Sequence, residues 1–179
     1  TVATLQLAVA DANALGATLR PTLPPADAMT YDAAAASLVT PMREALASLK
    51  LAPLAQPGRP KFSLILTPFF TWTGVDGMIN PLALESIVHP DLLPIERPFV
   101  LAHEWAHLAG EADEAEASAV GWLACMKGGP ALAYSASLYL IEEAGGALPP
   151  AARQQAFAKL ETGIRADLQQ IAQRMRLQK

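Results

Sequence analysis

Residues 98–110 read Pro98-Phe99-Val100-Leu101-Ala102-His103-Glu104-Trp105-Ala106-His107-Leu108-Ala109-Gly110. Proline at one end and glycine at the other bracket an apolar run, and the pattern predicts a helix over 99–109 with Gly110 as its stop. Two of the chain's three histidines stand in this run, four apart, with a glutamate directly after the first. On a helix, residues four apart share a face one turn apart, so both imidazoles can reach one metal ion. The carboxylate of Glu104 then sits beside that ion without being a ligand. Zinc lowers the pKa of a bound water, and a glutamate so placed can take the proton as the water attacks a carbonyl. Val100, Leu101, Trp105, Ala106 and Leu108 supply the apolar surround that a metal site needs and that a solvated helix would lack.

A catalytic zinc needs a third protein ligand, with water in the fourth place. No histidine follows His107, so the ligand must be an acid among Glu111, Asp113, Glu114 and Glu116. Two geometries compete. In one, the chain turns at Gly110 and Asp113 completes an HExxHxxGxxD pattern. In the other, a second, antiparallel helix over about 112–126 presents a glutamate back to the metal. Its face through Glu114, Ser118 and Gly121 or Trp122 would look at the first helix, with Ala115, Ala119 and Gly121 permitting close approach. The first geometry also wants a methionine in a tight turn, and the surroundings of Met126 lack that pattern. The second geometry fits better, with Glu114 ahead of Glu116. Glu111 and Asp113 read as solvated acids favoured by the start of a helix.

Outward from this core, Val2–Leu19 carries Leu5, Leu7, Ala8, Ala12, Leu15 and Leu19 on one face of a helix. Arg20-Pro21 to Pro24-Pro25 breaks it. Asp32 suits the N-cap of an alanine-rich helix, and Pro41 predicts a kink or a split in it. The stretch 53–60 is a turn-rich connector. Residues 61–67, short, apolar and bounded by prolines, read as a strand, and the aromatic, β-branched run 69–73 as more extended chain. The Gly74-Val75-Asp76-Gly77 run signals a turn, with extended segments at 78–80 and 85–89. After the second helix come a third over 131–144 and a last one from Pro149-Pro150 almost to Lys179, its Arg, Gln and Lys facing solvent. The fold class is therefore mostly α with a small β-sheet, in a single domain over 1–179: helices in 1–57, the catalytic core in 58–144 and a C-terminal helix in 145–179.

Composition narrows the function. The chain of 179 residues is 52% apolar and 17% charged, which excludes a disordered segment. A net charge of −4 without a basic stripe argues against a nucleic-acid partner. One cysteine, Cys125, forbids an intrachain disulfide. No apolar run approaches the ~18 residues of a membrane span. The chain starts at Thr1 rather than Met, as a processed or trimmed piece would.

The sequence resembles a bacterial family of unknown function whose members join N-terminal membrane helices to a gluzincin-like metallopeptidase domain. The resemblance rests on Pro98-Phe99, His103-Glu104, Ala106-His107, Gly110, Glu114-Ala115-Glu116-Ala117 and Leu123-Ala124-Cys125, with Glu85 upstream and Tyr134-Ser135 downstream. It covers about 58–144, and the N-terminal helices more weakly. Val100, Leu108 and Ser118 depart from the family's Thr, Gln and Asn, which touches the hydrogen bonding around the ligands and none of the ligands themselves. The resemblance implies a zincin-like fold, one Zn²⁺ per chain, and membrane attachment through segments upstream of residue 1, with this domain on the extracytoplasmic side. The expected site is His103, His107 and Glu114 as metal ligands with Glu104 as general base, acting on a peptide or protein substrate. The alternatives are a non-catalytic metal-binding sensor or regulatory domain, and a zinc hydrolase of a non-peptide amide. His89 and Tyr134 are candidate oxyanion stabilisers, each with a structural role as the rival reading. Trp72 and Trp122 read as core, and 74–80 as a sheet edge along which a peptide could lie.

Overall fold

The computed structural model describes residues 1–19, 29–54, 58–80 and 82–177. Among them are eight helices and three short strands: α1 Val2–Leu19, α2 Tyr31–Leu49, β1 Pro60–Lys61, α3 Thr67–Thr73, β2 Gly77–Asn80, β3 Glu85–Val88, α4 Arg97–Leu108, α5 Glu114–Lys127, α6 Pro130–Gly146, α7 Pro150–Phe157 and α8 Thr162–Leu177. The fold is mostly α with a small sheet, as the sequence predicts. The expected break at 20–25, and Pro81 in the resembling stretch, lie outside the described residues.

Two apolar clusters hold the helices together. Leu38, Met42 and Leu46 of α2 meet Leu101 and Trp105 of α4 and Val120 and Ala124 of α5. Leu5, Val9 and Ala12 of α1 meet Tyr134, Leu138 and Ile141 of α6 and Ile164 and Leu168 of α8. Helix α6 belongs to both, through Leu132 and Ala136 on one side and Leu138 and Ile141 on the other. A helix apolar on all sides is stable only when sandwiched in this way. Each fully buried leucine or isoleucine contributes roughly 1.5–3 kcal/mol. Helix α1 also corrects an expectation: by length and composition alone it is apolar enough to cross a membrane. Its scattered Thr, Gln and Asn hide this from a search for an unbroken apolar run.

The sheet has the order β1-β3-β2, with β1 parallel and β2 antiparallel to β3. Asn80 Oδ1 accepts from the backbone N–H groups of Leu82 and Ala83 and so closes the β2–β3 turn. The strand expected over 61–67 is reduced to Pro60–Lys61, and 69–73 is helical. Pro68 fits the first turn of α3, and Leu64 and Ile65 are 95% and 87% exposed, so among the described residues nothing covers them as a sheet would need. Trp72, expected in the core, is 79% exposed.

Other departures have local causes. The N-cap of α2 is Thr30, whose side chain accepts from Ala33 N–H, and Asp32 sits in the first turn. Pro41 lies within one continuous α2, flanked by buried Leu38 and Met42, so packing on both sides outweighs the lost hydrogen bond. The expected last helix is two. Asn13 of α1 donates to the Lys159 carbonyl and accepts from Glu161 N–H, and buried Leu160 anchors the turn between α7 and α8. Nor is α8 wholly solvated. Its Arg174 is 7% exposed and makes bidentate contacts to Asp76, just before β2, and to Glu96, at the start of α4.

That clamp gives a prediction. Arg174→Leu leaves two carboxylates facing each other with Glu96 buried, and is expected to cost about 3 kcal/mol in urea unfolding. A cost below about 1 kcal/mol would show that the clamp adds nothing to stability.

Candidate metal centre

Helix α4 begins with Pro98 in its first turn and no side-chain cap of its own. Ser135 Oγ of α6 instead accepts from Phe99 N–H at 3.1 Å, which accounts for Ser135 without a nucleophilic role. Trp105 is fully buried and donates its indole N–H to the Gly58 carbonyl, fixing the roll of α4 against the chain entering β1. That roll turns His103, Glu104 and His107 toward one cleft.

Helix α5 returns antiparallel after Gly110, whose φ of 110° suits the reversal. Asp113 is its N-cap, Oδ1 accepting from Ala115 and Glu116 N–H, and among the described residues it is Glu114 and not Asp113 that converges with the two histidines. Glu116 is exposed and does not line the cleft. Gly121 sets how closely the helices approach: a Cβ there would stand 2.9 Å from His103 N. Ala117, Gly121 and Ala124 face the core, whereas Ala115 and Ala119, expected at the helix contact, are exposed and line the cleft.

The helices bring together His103 Nε2, His107 Nε2 and Glu114 Oε2. The two nitrogens are 3.1 Å apart, and the carboxylate oxygen lies 3.2 Å from the first and 3.6 Å from the second. Tetrahedral zinc with bonds of about 2.0–2.1 Å separates its ligand atoms by about 3.3 Å, so this triangle has the dimensions of one tetrahedral face. The chemistry of the donors also fits. His107 Nδ1 lies 2.6 Å from the Glu111 carbonyl, which can only accept. Nδ1 therefore carries the proton, and the Nε2 of a neutral His107 presents a lone pair. Burial, then the neighbouring His107, holds the pKa of His103 below its usual value despite the opposing pull of Glu114, which favours the neutral ring that a metal requires.

Glu104 is 4% exposed, and its Oε2 has no hydrogen-bond partner among the described residues. Burial, with the Glu114 and Asp76 charges adding to it, pushes its pKa up to about 8. The carboxylate lies against Gly77 of β2, where a Cβ would stand 2.7 Å from Oε1. Only glycine lets the hairpin and this side chain share the space.

The other candidates lie elsewhere. His89 is fully buried: Nδ1 accepts from Asp91 N–H, Nε2 is 3.1 Å from Thr71 Oγ1, and its backbone N–H donates to Asp76. Tyr134 is 1% exposed and donates to Asp167 of α8 at 2.6 Å. Both are structural, so neither serves as an oxyanion donor. Cys125 is buried and its thiol pKa is pushed up, which excludes a thiolate nucleophile. Trp122 packs against the core, as expected, and also lines the cleft, as do Tyr139 and Glu143, which no spacing in the sequence connects with the histidines. The cleft holds about 1330 Å³ between β2, α4, α5, α6 and the start of α1.

A family model described as protein of unknown function, DUF3810, matches residues 2–178. The chain belongs to this family. The match takes in every helix and strand above, so the cleft lies wholly inside the family's domain. No curated protein and no solved structure matches the chain.

The burial of Glu104 predicts a pH signature in metal-free protein. Its folded pKa of about 8 lies above the ordinary 4.5, so the unfolded chain loses the proton first. Stability from this group is therefore full below about pH 4.5 and falls by up to about 1.4 kcal/mol per pH unit until pH passes about 8. Glu104→Gln is expected to match the wild type at pH 4.5 and exceed it in urea midpoint at pH 8. The same difference at both pH values would refute this account.

Proposed function

We propose that this chain is a zinc-dependent peptidase of zincin-like architecture. The observation that carries the proposal is the convergence of His103, His107 and Glu114 beside a buried carboxylate, Glu104, one residue from the first donor. In this reading the three donors hold one Zn²⁺. Zinc, when bound, supplies a Lewis acid that lowers the pKa of water and polarises a carbonyl.

The chain's own residues do the rest. Glu104 takes a proton from the attacking water as its oxygen bonds to the carbonyl carbon. It then delivers that proton to the nitrogen as the C–N bond breaks. Burial makes its carboxylate a stronger base than one in water, and a nearby cation brings its pKa back down, so that it is ionised near neutral pH. Strand β2 is at the edge of the sheet, and its Gly77, Met78 and Ile79 line the cleft. An extended peptide can add to this edge by main-chain hydrogen bonds. The walls combine apolar Val75, Val100, Trp122 and Leu140 with acidic Glu111 and Glu143, and no Lys or Arg lines the cleft among the described residues. Apolar or cationic peptide segments suit such walls better than acidic ones.

We also propose that the domain works at a membrane, on its extracytoplasmic side. Support for the membrane comes from the side chains of Leu64, Ile65, Trp72 and Leu82, each at least 79% exposed, and the side rests on the family resemblance alone. Trp at such a surface is typical of the headgroup region. The protein expressed from its full reading frame should then sediment with membranes and resist a salt wash. Recovery in the soluble fraction would overturn the placement.

The reaction is tested by metal analysis and turnover together. Purified protein should carry about one zinc per chain, and the His103→Ala, His107→Ala double variant should carry none. Glu104→Gln should keep its zinc while losing about a hundred- to ten-thousand-fold in cleavage of a quenched peptide library. Equal turnover at matched zinc would remove Glu104 as the base. Zinc without turnover of any peptide would favour the sensor-domain reading or a non-peptide amide substrate.

A further inference from the structure

The third donor, Glu114, belongs to a hairpin of two helices. Helices α5 and α6 are joined by Gly128-Gly129 alone and pack as antiparallel neighbours. Tyr139 of α6 marks their register, because its phenol donates to Ser118 Oγ of α5 at 3.0 Å. One turn after Tyr139 comes Glu143, and one turn before Ser118 comes Glu114, so Glu143 stands level with the third donor. Burial raises the pKa of Tyr139, and the charges of Glu143 and Glu114 both add to the rise, as two carboxylates near the phenol would. Both line the same cleft. Glu114 turns its carboxylate to the histidines. Glu143 is exposed and makes no ion pair or hydrogen bond among the described residues.

The wall around Glu143 is apolar. Ala115 and Ala119 of α5, Leu140 of α6 and Leu7 of α1 all line this part of the fold's cleft. An independent feature marks the cleft as a ligand site: Glu104 lines it at 4% exposure, with one carboxylate oxygen lacking a partner among the described residues. We propose that Glu143 is a specificity residue that selects a lysine or arginine side chain beside the scissile bond. This rests on the peptidase reading of the same cleft. The aliphatic stem of such a side chain lies along the apolar wall while its cationic head meets the Glu143 carboxylate. A free α-ammonium has no stem to cover that wall. An acidic side chain would meet like charge from both Glu143 and Glu114, which rejects it. Glu143 touches only the side chain of the substrate and takes no part in breaking the bond.

The test uses quenched peptides, N-acetylated and C-amidated, that carry lysine, norleucine or glutamate at one position in turn. The wild type should cleave the best lysine peptide about 5-fold faster in kcat/KM than its norleucine counterpart, and the glutamate peptide slowest. Glu143→Gln should level lysine with norleucine, and Glu143→Lys should reverse the order toward glutamate. A loss of structure cannot produce such a reversal. Glu116→Gln, which removes an acid that does not line the cleft, should keep the wild-type order. The same order is expected in the dissociation constants of these peptides for Glu104→Gln, measured by calorimetry. A lysine preference that survives Glu143→Gln would overturn the proposal. So would a preference that appears only when the acetyl group is left off, since Glu143 would then bind an α-ammonium. A wild type that cleaves no peptide would overturn the peptidase reading, while the order of the dissociation constants, with and without Glu143→Gln, would still decide the role of Glu143.

Discussion

The close approach of α4 and α5 at Gly121 is the constraint on which the site depends. The α5 backbone passes so near His103 N that no side chain fits between them. Helical periodicity then does the remaining work. Ser118, about one turn before Gly121, meets His103 Nδ1, and Glu114, one turn earlier again, reaches the Nε2 atoms. A larger residue at 121 would separate the helices along their whole contact, so one substitution would loosen both the outer support of His103 and the third donor. The small residues Ala117 and Ala124 on the same face keep the approach close over two turns.

What was legible in the sequence follows from how local its causes are. The spacing of His103, Glu104 and His107 depends only on helix geometry, and the approach of Glu114 to them depends on a reversal at Gly110 followed by an antiparallel helix. Both are short-range, and both were readable. The run 61–73 looks like strand because it is apolar and β-branched, yet a strand exists only where something pairs with it and covers it. Leu64 and Ile65 have no such cover among the described residues, and Pro68 opens a helix instead. The split between α7 and α8 is made by Asn13, almost the whole chain away in sequence. Tyr139 and Arg174 were missed for the same reason. Their partners lie on other elements, and no periodicity in a single segment encodes such a pairing.

The distribution of charge around Glu104 shows how the distant parts of the fold reach the site. Asp76 precedes Gly77, the residue that makes room for the Glu104 carboxylate, and the Asp76 charge helps to hold that carboxyl protonated. Arg174 is bound to Asp76 and to Glu96, so the C-terminal helix both neutralises this acid and ties the β2 hairpin to the first turn of α4. The same guanidinium therefore governs two properties of Glu104, its room and its field. If Asp76 were free, it would be an unpaired anion beside a buried carboxylate, and Glu104 would stay protonated to still higher pH. A helix that contributes no donor to the triangle thus helps to set the pH range in which Glu104 can accept a proton. This gives a physical reason for α8 to be part of the same domain as the α4–α5 pair.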